Sequence, residues 1–177
     1  ALMDSKERLF FAESGSISGW SYLEQRVLGS MGVAMNVRVF DDGTWYAPSA
    51  HVYSEPLEAT LLFCPGPLLA RTDCWDYNFI VIEGLFKIEQ YAKVLEERIL
   101  PLLLYVQETA ERPALVTIPG LGCGMFAGSF KSGINQLFIQ TLQDILTRNK
   151  ERLSKVAMVY HSIYDPEQGE ERTEIDI

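Results

Sequence analysis

Four glycines, Gly120, Gly122, Gly124 and Gly128, lie between an apolar run that begins at Ala114 and a periodic stretch that begins at Ser129. Where a strand hands over to a helix, such a loop lets backbone approach a ligand, and unpaired N–H groups with the helix dipole favour an anion there. Tight turns also need glycines for steric reasons, so the chemistry is one reading and the turn another. The spacing is Gly-x-Gly-x-Gly with no Gly-Lys-Ser/Thr after it, which excludes a Walker loop, and the unit comes late in the chain, unlike a dinucleotide fingerprint. Cys123 sits inside the loop at the start of a helix, where a thiol's pKa can fall. A Cys–His nucleophile is one use for it; a small residue that fits beside a phosphate is the simpler one.

A second group of chemical side chains falls in Pro65–Asn78. Asp73 and Asp76 are spaced so that a helical turn places them on one face, where a carboxylate can orient an attacking water or hold ribose hydroxyls. Aspartates also cap helices, and a helix beginning near Trp75 offers that role equally. Asn78 could hydrogen-bond a distal ribose, or simply satisfy a loop. Trp75 and Tyr77 could line a pocket, but aromatic residues beside a buried strand are more often core. His51 and His161 have no paired acid in a recognisable triad and read as structural.

The elements that must hold these residues follow from hydrophobic patterning. Short apolar runs at 8–13 and 59–64 predict strands, the second buried on both faces, and 33–40 alternates and leads through Asp41-Asp42-Gly43 into 44–47 as a hairpin. Tyr22, Leu23, Val27, Leu28 and Met31 predict a short amphipathic helix. Residues 79–106 read mainly as helix, with Phe79–Ile82 a possible strand. Leu85, Ile88, Val94, Leu95, Ile99 and Leu102 form its inner side, Glu89, Lys93, Glu96, Glu97 and Arg98 its outer side, and Pro101 a break or kink. After strand 114–118 and the glycine loop, Phe130, Ile134, Leu137, Phe138, Leu142, Ile145 and Leu146 define the core face of a long helix. Val156–Tyr160 is a last buried strand, and 165–177 reads as a loose acidic tail. Strands alternating with helices predict one α/β domain over 1–177, a three-layer α/β/α sandwich with a mixed, largely parallel sheet.

Composition narrows the partners. The chain has 177 residues, a net charge of −9 and 47% hydrophobic residues, enough for one core but no broad basic surface for nucleic acid. No apolar run approaches membrane-spanning length, and no basic-then-apolar leader is visible at the start, so the expectation is a soluble, cytoplasmic protein. Three cysteines without a C-x-x-C pair or a histidine ladder argue against a disulfide framework and a structural zinc site.

The order of strand, Pro-Gly-Leu-Gly-Cys-Gly-Met-Phe-Ala-Gly (119–128), amphipathic helix and final strand Val-Ala-Met-Val-Tyr-His-Ser-Ile-Tyr-Asp (156–165) resembles the C-terminal third of a macrodomain. The resemblance implies a loop, Gly120 through Leu121 to Phe126, that wraps the diphosphate of ADP-ribose, with Gly122, Cys123, Gly124, Met125 and Phe126 along the diphosphate and distal ribose. It implies ADP-ribose, or an ADP-ribosylated protein, as ligand, and no bound cofactor or metal. Asp41 stands where the family's adenine-reading aspartate falls, though the Asp-Asp-Gly turn explains it without a ligand. The usual Asn-Ala-Ala-Asn-like segment is replaced by Phe63–Asn78. That departure is similar to the variant macrodomains of bacterial effector proteins, which adds the expectation of a secreted effector acting in a host cytosol. Two functions follow: hydrolysis of an ADP-ribosyl linkage with Asp73 or Asp76 activating water, or reading of ADP-ribose without catalysis. A phosphatase using the same anion cradle is a third, without a metal-ligand set to serve it.

Overall fold

The computed structural model describes residues 21–39, 55–165 and 169–175, with backbone pairing only from 162 onward. The expected strands at 8–13 and 44–47, the Asp41-Asp42-Gly43 turn and His51 lie outside the described residues.

Helix α1 (Tyr22–Gly29) starts at a capping box in which Ser21 and Glu24 exchange side-chain and backbone bonds. Strand β1 (Val33–Val39) pairs antiparallel with β2 (Leu57–Phe63), in register from Val33 opposite Phe63 to Val39 opposite Leu57. The 59–64 run is thus a strand, but it is not buried on both faces. Leu57, Leu61 and Phe63 are exposed beside Met35 and Val39, because directly opposed residues share a face and this ribbon turns its apolar face outward.

The segment 79–106 departs from the single helix the sequence predicts. Helix α2 (Trp75–Ile80) ends in a hairpin of β3 (Val81–Ile82) and β4 (Leu85–Phe86). Glu83 and Gly84 both take positive φ, the geometry a two-residue hairpin turn requires. Leu85 is therefore exposed on the hairpin, and Ile88 is exposed at the start of α3 (Ile88–Thr109). From there Val94, Leu95 and Ile99 of the expected inner side are buried, whereas Leu102 is half-buried and Leu103 takes the core position. Arg98 is also buried, not outward. Pro101 does not break α3. It lies on the solvent face, so the Glu97 carbonyl that loses its partner is exposed to water.

Strand β5 (Ala114–Pro119) and β6 (Val156–Asp165) are parallel neighbours joined through α4 (Lys131–Asn149). Ile134, Phe138, Leu142, Ile145 and Leu146 of α4 are buried, as the periodicity predicts, and each contributes about 1.5–3 kcal/mol of burial. They join the α3 face, Val116, Ile118 and Val159 in one core. The expectation of a largely parallel sheet is not met among the described residues: β5–β6 is the one parallel pairing, because it alone is a βαβ unit. Within the stretch 165–177, expected as a loose tail, the described part is a strand. Gly169–Ile175 forms β7, antiparallel to β6 from Val159 opposite Ile175 to Asp165 opposite Gly169. The class is α/β. No described helix is long and apolar enough to cross a membrane.

Candidate functional site

The two segments singled out for chemistry, 65–78 and 120–128, meet. A Cβ on Gly66 would run into the Gly122 amide nitrogen, and one on Gly122 would stand 2.8 Å from the Pro67 carbonyl oxygen. Gly122 also takes φ +76°, a left-handed conformation that disfavours a side chain. Further along, a Cβ on Gly128 would stand 2.7 Å from Ala70 Cα. Leu69 N–H donates to the Phe126 carbonyl at 2.7 Å, tying the loops between these contacts. Two of the loop glycines are therefore required by loop-on-loop packing. Gly124 is not: a Cβ there meets open space, and Met125 beside it is 88% exposed. Met125 opens a short 3-10 turn, closed by Ala127 N–H on the Gly124 carbonyl and interrupted at Gly128, so the amides of Met125 and Phe126 belong to a first turn and lack acceptors within it. The loop thus has a packed side and an open side.

Asp76 lies in the first turn of α2 and is buried. Its Oδ1 accepts from Arg98 Nη2 at 2.6 Å, and its Oδ2 accepts from Arg98 Nη1 at 3.2 Å and from Leu68 N–H at 2.7 Å. Arg98 Nη1 also donates to the Pro65 carbonyl at 3.3 Å. A carboxylate so occupied has its oxygens committed to holding the 65–69 loop. It does not cap α2, either; that role falls to Cys74, whose Sγ accepts from Tyr77 N–H at 3.5 Å. Cys74 Sγ in turn donates to Leu68 and Arg71 carbonyls at 2.9 and 3.0 Å.

Asp73 is placed differently, exposed in the turn before α2. Arg71 donates to both of its oxygens, Nε to Oδ1 at 3.0 Å and Nη2 to Oδ2 at 2.7 Å. The hydrogen bonds from Arg71 hold the Asp73 carboxyl below its ordinary range, so it is ionised at neutral pH. Asn78 uses its amide N–H groups on the Thr72 and Cys74 carbonyls, both at 2.8 Å, and on the Tyr22 hydroxyl at 3.1 Å. Trp75 is half-buried, stacked 4.8 Å from Phe79, and the Arg26 guanidinium lies over its ring, 5.6 Å from the centroid. Tyr77 packs toward Phe130 at the far end of the glycine loop.

Burial pushes the Cys123 thiol up to about 12, the opposite of what a nucleophile needs. His161 is buried against Phe138, its Nδ1 2.9 Å from the Ile118 carbonyl, and serves as core. Among the described residues no group of three or more His, Cys, Asp or Glu could hold a metal ion. Asp41 lies outside the described residues; the Gly120–Gly128 loop touches Gly66, Pro67, Leu69 and Ala70, and Asp76 is tied to that stretch through Leu68, while the bonds of Asp73 and Asn78 run to Arg71 and to Thr72, Cys74 and Tyr22.

Two residues escaped sequence reasoning. Arg98 reads as one more charge on a helix surface; the available signal was its position between Leu95 and Ile99, on the same face. Asn135 lies behind the loop, its Oδ1 3.2 Å from where a Cβ on Gly120 would sit. An asparagine on an amphipathic helix carries no such signal.

No curated protein matches the chain. The family model described as "Macrodomain effector MavL" matches residues 1–177. With a glycine loop between β5 and α4, docked on the loop that follows β2, the chain belongs to the macrodomain effector MavL family.

Proposed function

We propose that the chain binds ADP-ribose, or an ADP-ribosylated protein, on the open side of the Gly120–Phe126 loop and hydrolyses the ADP-ribosyl linkage, acting as a secreted effector in a host cell. The observation that carries this reading is the asymmetry of the loop. Gly122 and Gly128 are consumed by packing, whereas Gly124 and Met125 present backbone to solvent, which is what a diphosphate cradle requires. Membership of a macrodomain effector family supports the ligand. The surrounding architecture is read as the three-layer α/β/α sandwich of that fold class, with α3 and α4 contributing to the layers around the strands.

Of the two aspartates, Asp73 is the one at the surface, where a ligand can reach it. It is exposed, ionised and three residues beyond Ala70, where the loops touch. Its role is to orient the attacking water as a hydrogen-bond acceptor; a carboxylate held at low pKa is a weak general base. Release of ADP-ribose from a mono-ADP-ribosylated protein tests this: wild type releases it, and Asp73→Asn loses release while keeping ADP-ribose binding. Equal turnover by Asp73→Asn removes Asp73 from the mechanism.

The second reading, a reader without catalysis, is favoured by one contact. Arg71 occupies both Asp73 oxygens, and a neutralised carboxylate serves binding better than chemistry. Binding without release by the wild type decides for the reader.

A further inference from the structure

We propose that Arg98 is a positioning residue, which shapes the anion cradle through the Pro65–Leu69 loop without touching the ligand. The inference rests on the ADP-ribose-binding reading of the glycine loop. Its starting point is a buried cation in the apolar face of a helix. The Arg98 side chain is 3% exposed, and its partner Asp76 is 11% exposed. Buried pairs seldom add stability over apolar residues of the same volume, which leaves the conformation this pair selects as the role to test.

The bonds on the page show which conformation that is. The Arg98 guanidinium reaches both oxygens of Asp76 and the Pro65 carbonyl, and Asp76 accepts the Leu68 amide. The start and the end of the Pro65–Leu68 turn are thus fixed to one planar fork on α3. Within that turn lies Gly66, on which Gly122 rests, and next to it Leu69, whose N–H holds the Phe126 carbonyl. The path from Arg98 to the cradle therefore has three links: the ion pair, the turn and the loop-on-loop seam. α1 closes the other side, since a Cβ on Gly29 would stand 2.7 Å from Arg98 Nη2. A lysine cannot replace the fork, because one ammonium is a point charge without the planar geometry that serves two oxygens and a carbonyl at once.

Two variants separate positioning from simple stability. Arg98→Lys keeps the charge and loses the fork. The double variant Arg98→Met with Asp76→Leu removes both charges and leaves an apolar pair, which preserves folding if Arg98 fails alone. Each is measured for thermal unfolding, for hydrogen exchange at the Leu69 amide, and for ADP-ribose affinity by calorimetry. Leu69 is the informative amide because its acceptor, the Phe126 carbonyl, is changed in neither variant. The expected result is faster Leu69 exchange and an ADP-ribose Kd raised at least about tenfold in a variant that still unfolds cooperatively, as displaced binding groups lose their alignment. A folded variant with wild-type Leu69 exchange overturns the proposal, as does one that binds ADP-ribose as wild type does. If wild type itself fails to bind ADP-ribose, the reading of the loop falls, while Leu69 exchange still decides whether Arg98 positions it.

Discussion

Asp73 and Asp76 stand three residues apart and each meets a guanidinium, Arg71 at the surface for the first and Arg98 in the core for the second. Removing Asp76 strands Arg98 as a buried, unpaired cation, so Asp76→Ala is expected to cost about 3–5 kcal/mol of stability. Thermal or urea unfolding reads that loss directly, and Asp73→Asn, at a solvent-exposed position, leaves the midpoint close to wild type. His161 supplies a pH dependence whose sign follows from burial, which holds its imidazole below the ordinary 6.5. On acidification the unfolded chain takes up this proton first. Stability is therefore full above about pH 6.5 and falls as the pH drops from there through the folded-state pKa. His161→Gln is expected to flatten that part of a stability-versus-pH curve, measured by urea unfolding. At this scale the sequence shows which residues can do chemistry and not what faces them. Asp73 and Asp76 look alike until Arg98, 22 positions further on, is known to point inward. Cys123 is similarly ambiguous, because thiolate or thiol is decided by burial, and a loop sequence does not reveal how deeply its middle residue sits.

Strand, glycine loop and helix form the element-scale unit that the chain's patterning displays best. The apolar strand at 114–119 and the α4 core face from Ile134 to Leu146 are found as their periodicity predicts. What patterning could not display is which glycines serve the turn and which serve the open side, because that depends on a second loop more than 50 positions upstream, counted from Gly122 back to Gly66. This distinction gives a paired prediction. Gly122→Ala sets a Cβ against Pro67 at a φ of +76° and is expected to destabilise by about 1–3 kcal/mol. Gly124→Ala enters open space and is expected to leave stability within about 0.5 kcal/mol of wild type while weakening ADP-ribose binding. Unfolding curves and calorimetry on the two variants check both halves. The hairpin at 81–86 and β7 were hidden for a different reason. Val81 and Ile82 continue the apolar content of α2, so only the Glu83-Gly84 turn marks the break, and the charges of β7 mimic a solvated tail although its backbone pairs fully.

For the molecule as a whole, the macrodomain resemblance carried by 119–128 and the following helix and strand is borne out by a family match over residues 1–177. The α/β class stands with it, while the pairing of β2 with β1 and the outward apolar face of that ribbon had no signal in the run Ala59–Cys64 itself, since a continuous apolar strand does not say how many neighbours it has. A net charge of −9 sets the electrostatic background: an anion must be held by local amides against a repelling field, so affinity is expected to depend on the loop's geometry more than on long-range attraction. The central claim is that this geometry holds ADP-ribose. Amide chemical shifts followed by NMR during an ADP-ribose titration test it most directly. Binding on the open side of the loop predicts saturable shifts centred on Gly122, Gly124, Met125 and Phe126, extending to Leu69 and Asp73. No shifts at millimolar ADP-ribose, or shifts confined to residues away from this loop, would contradict it.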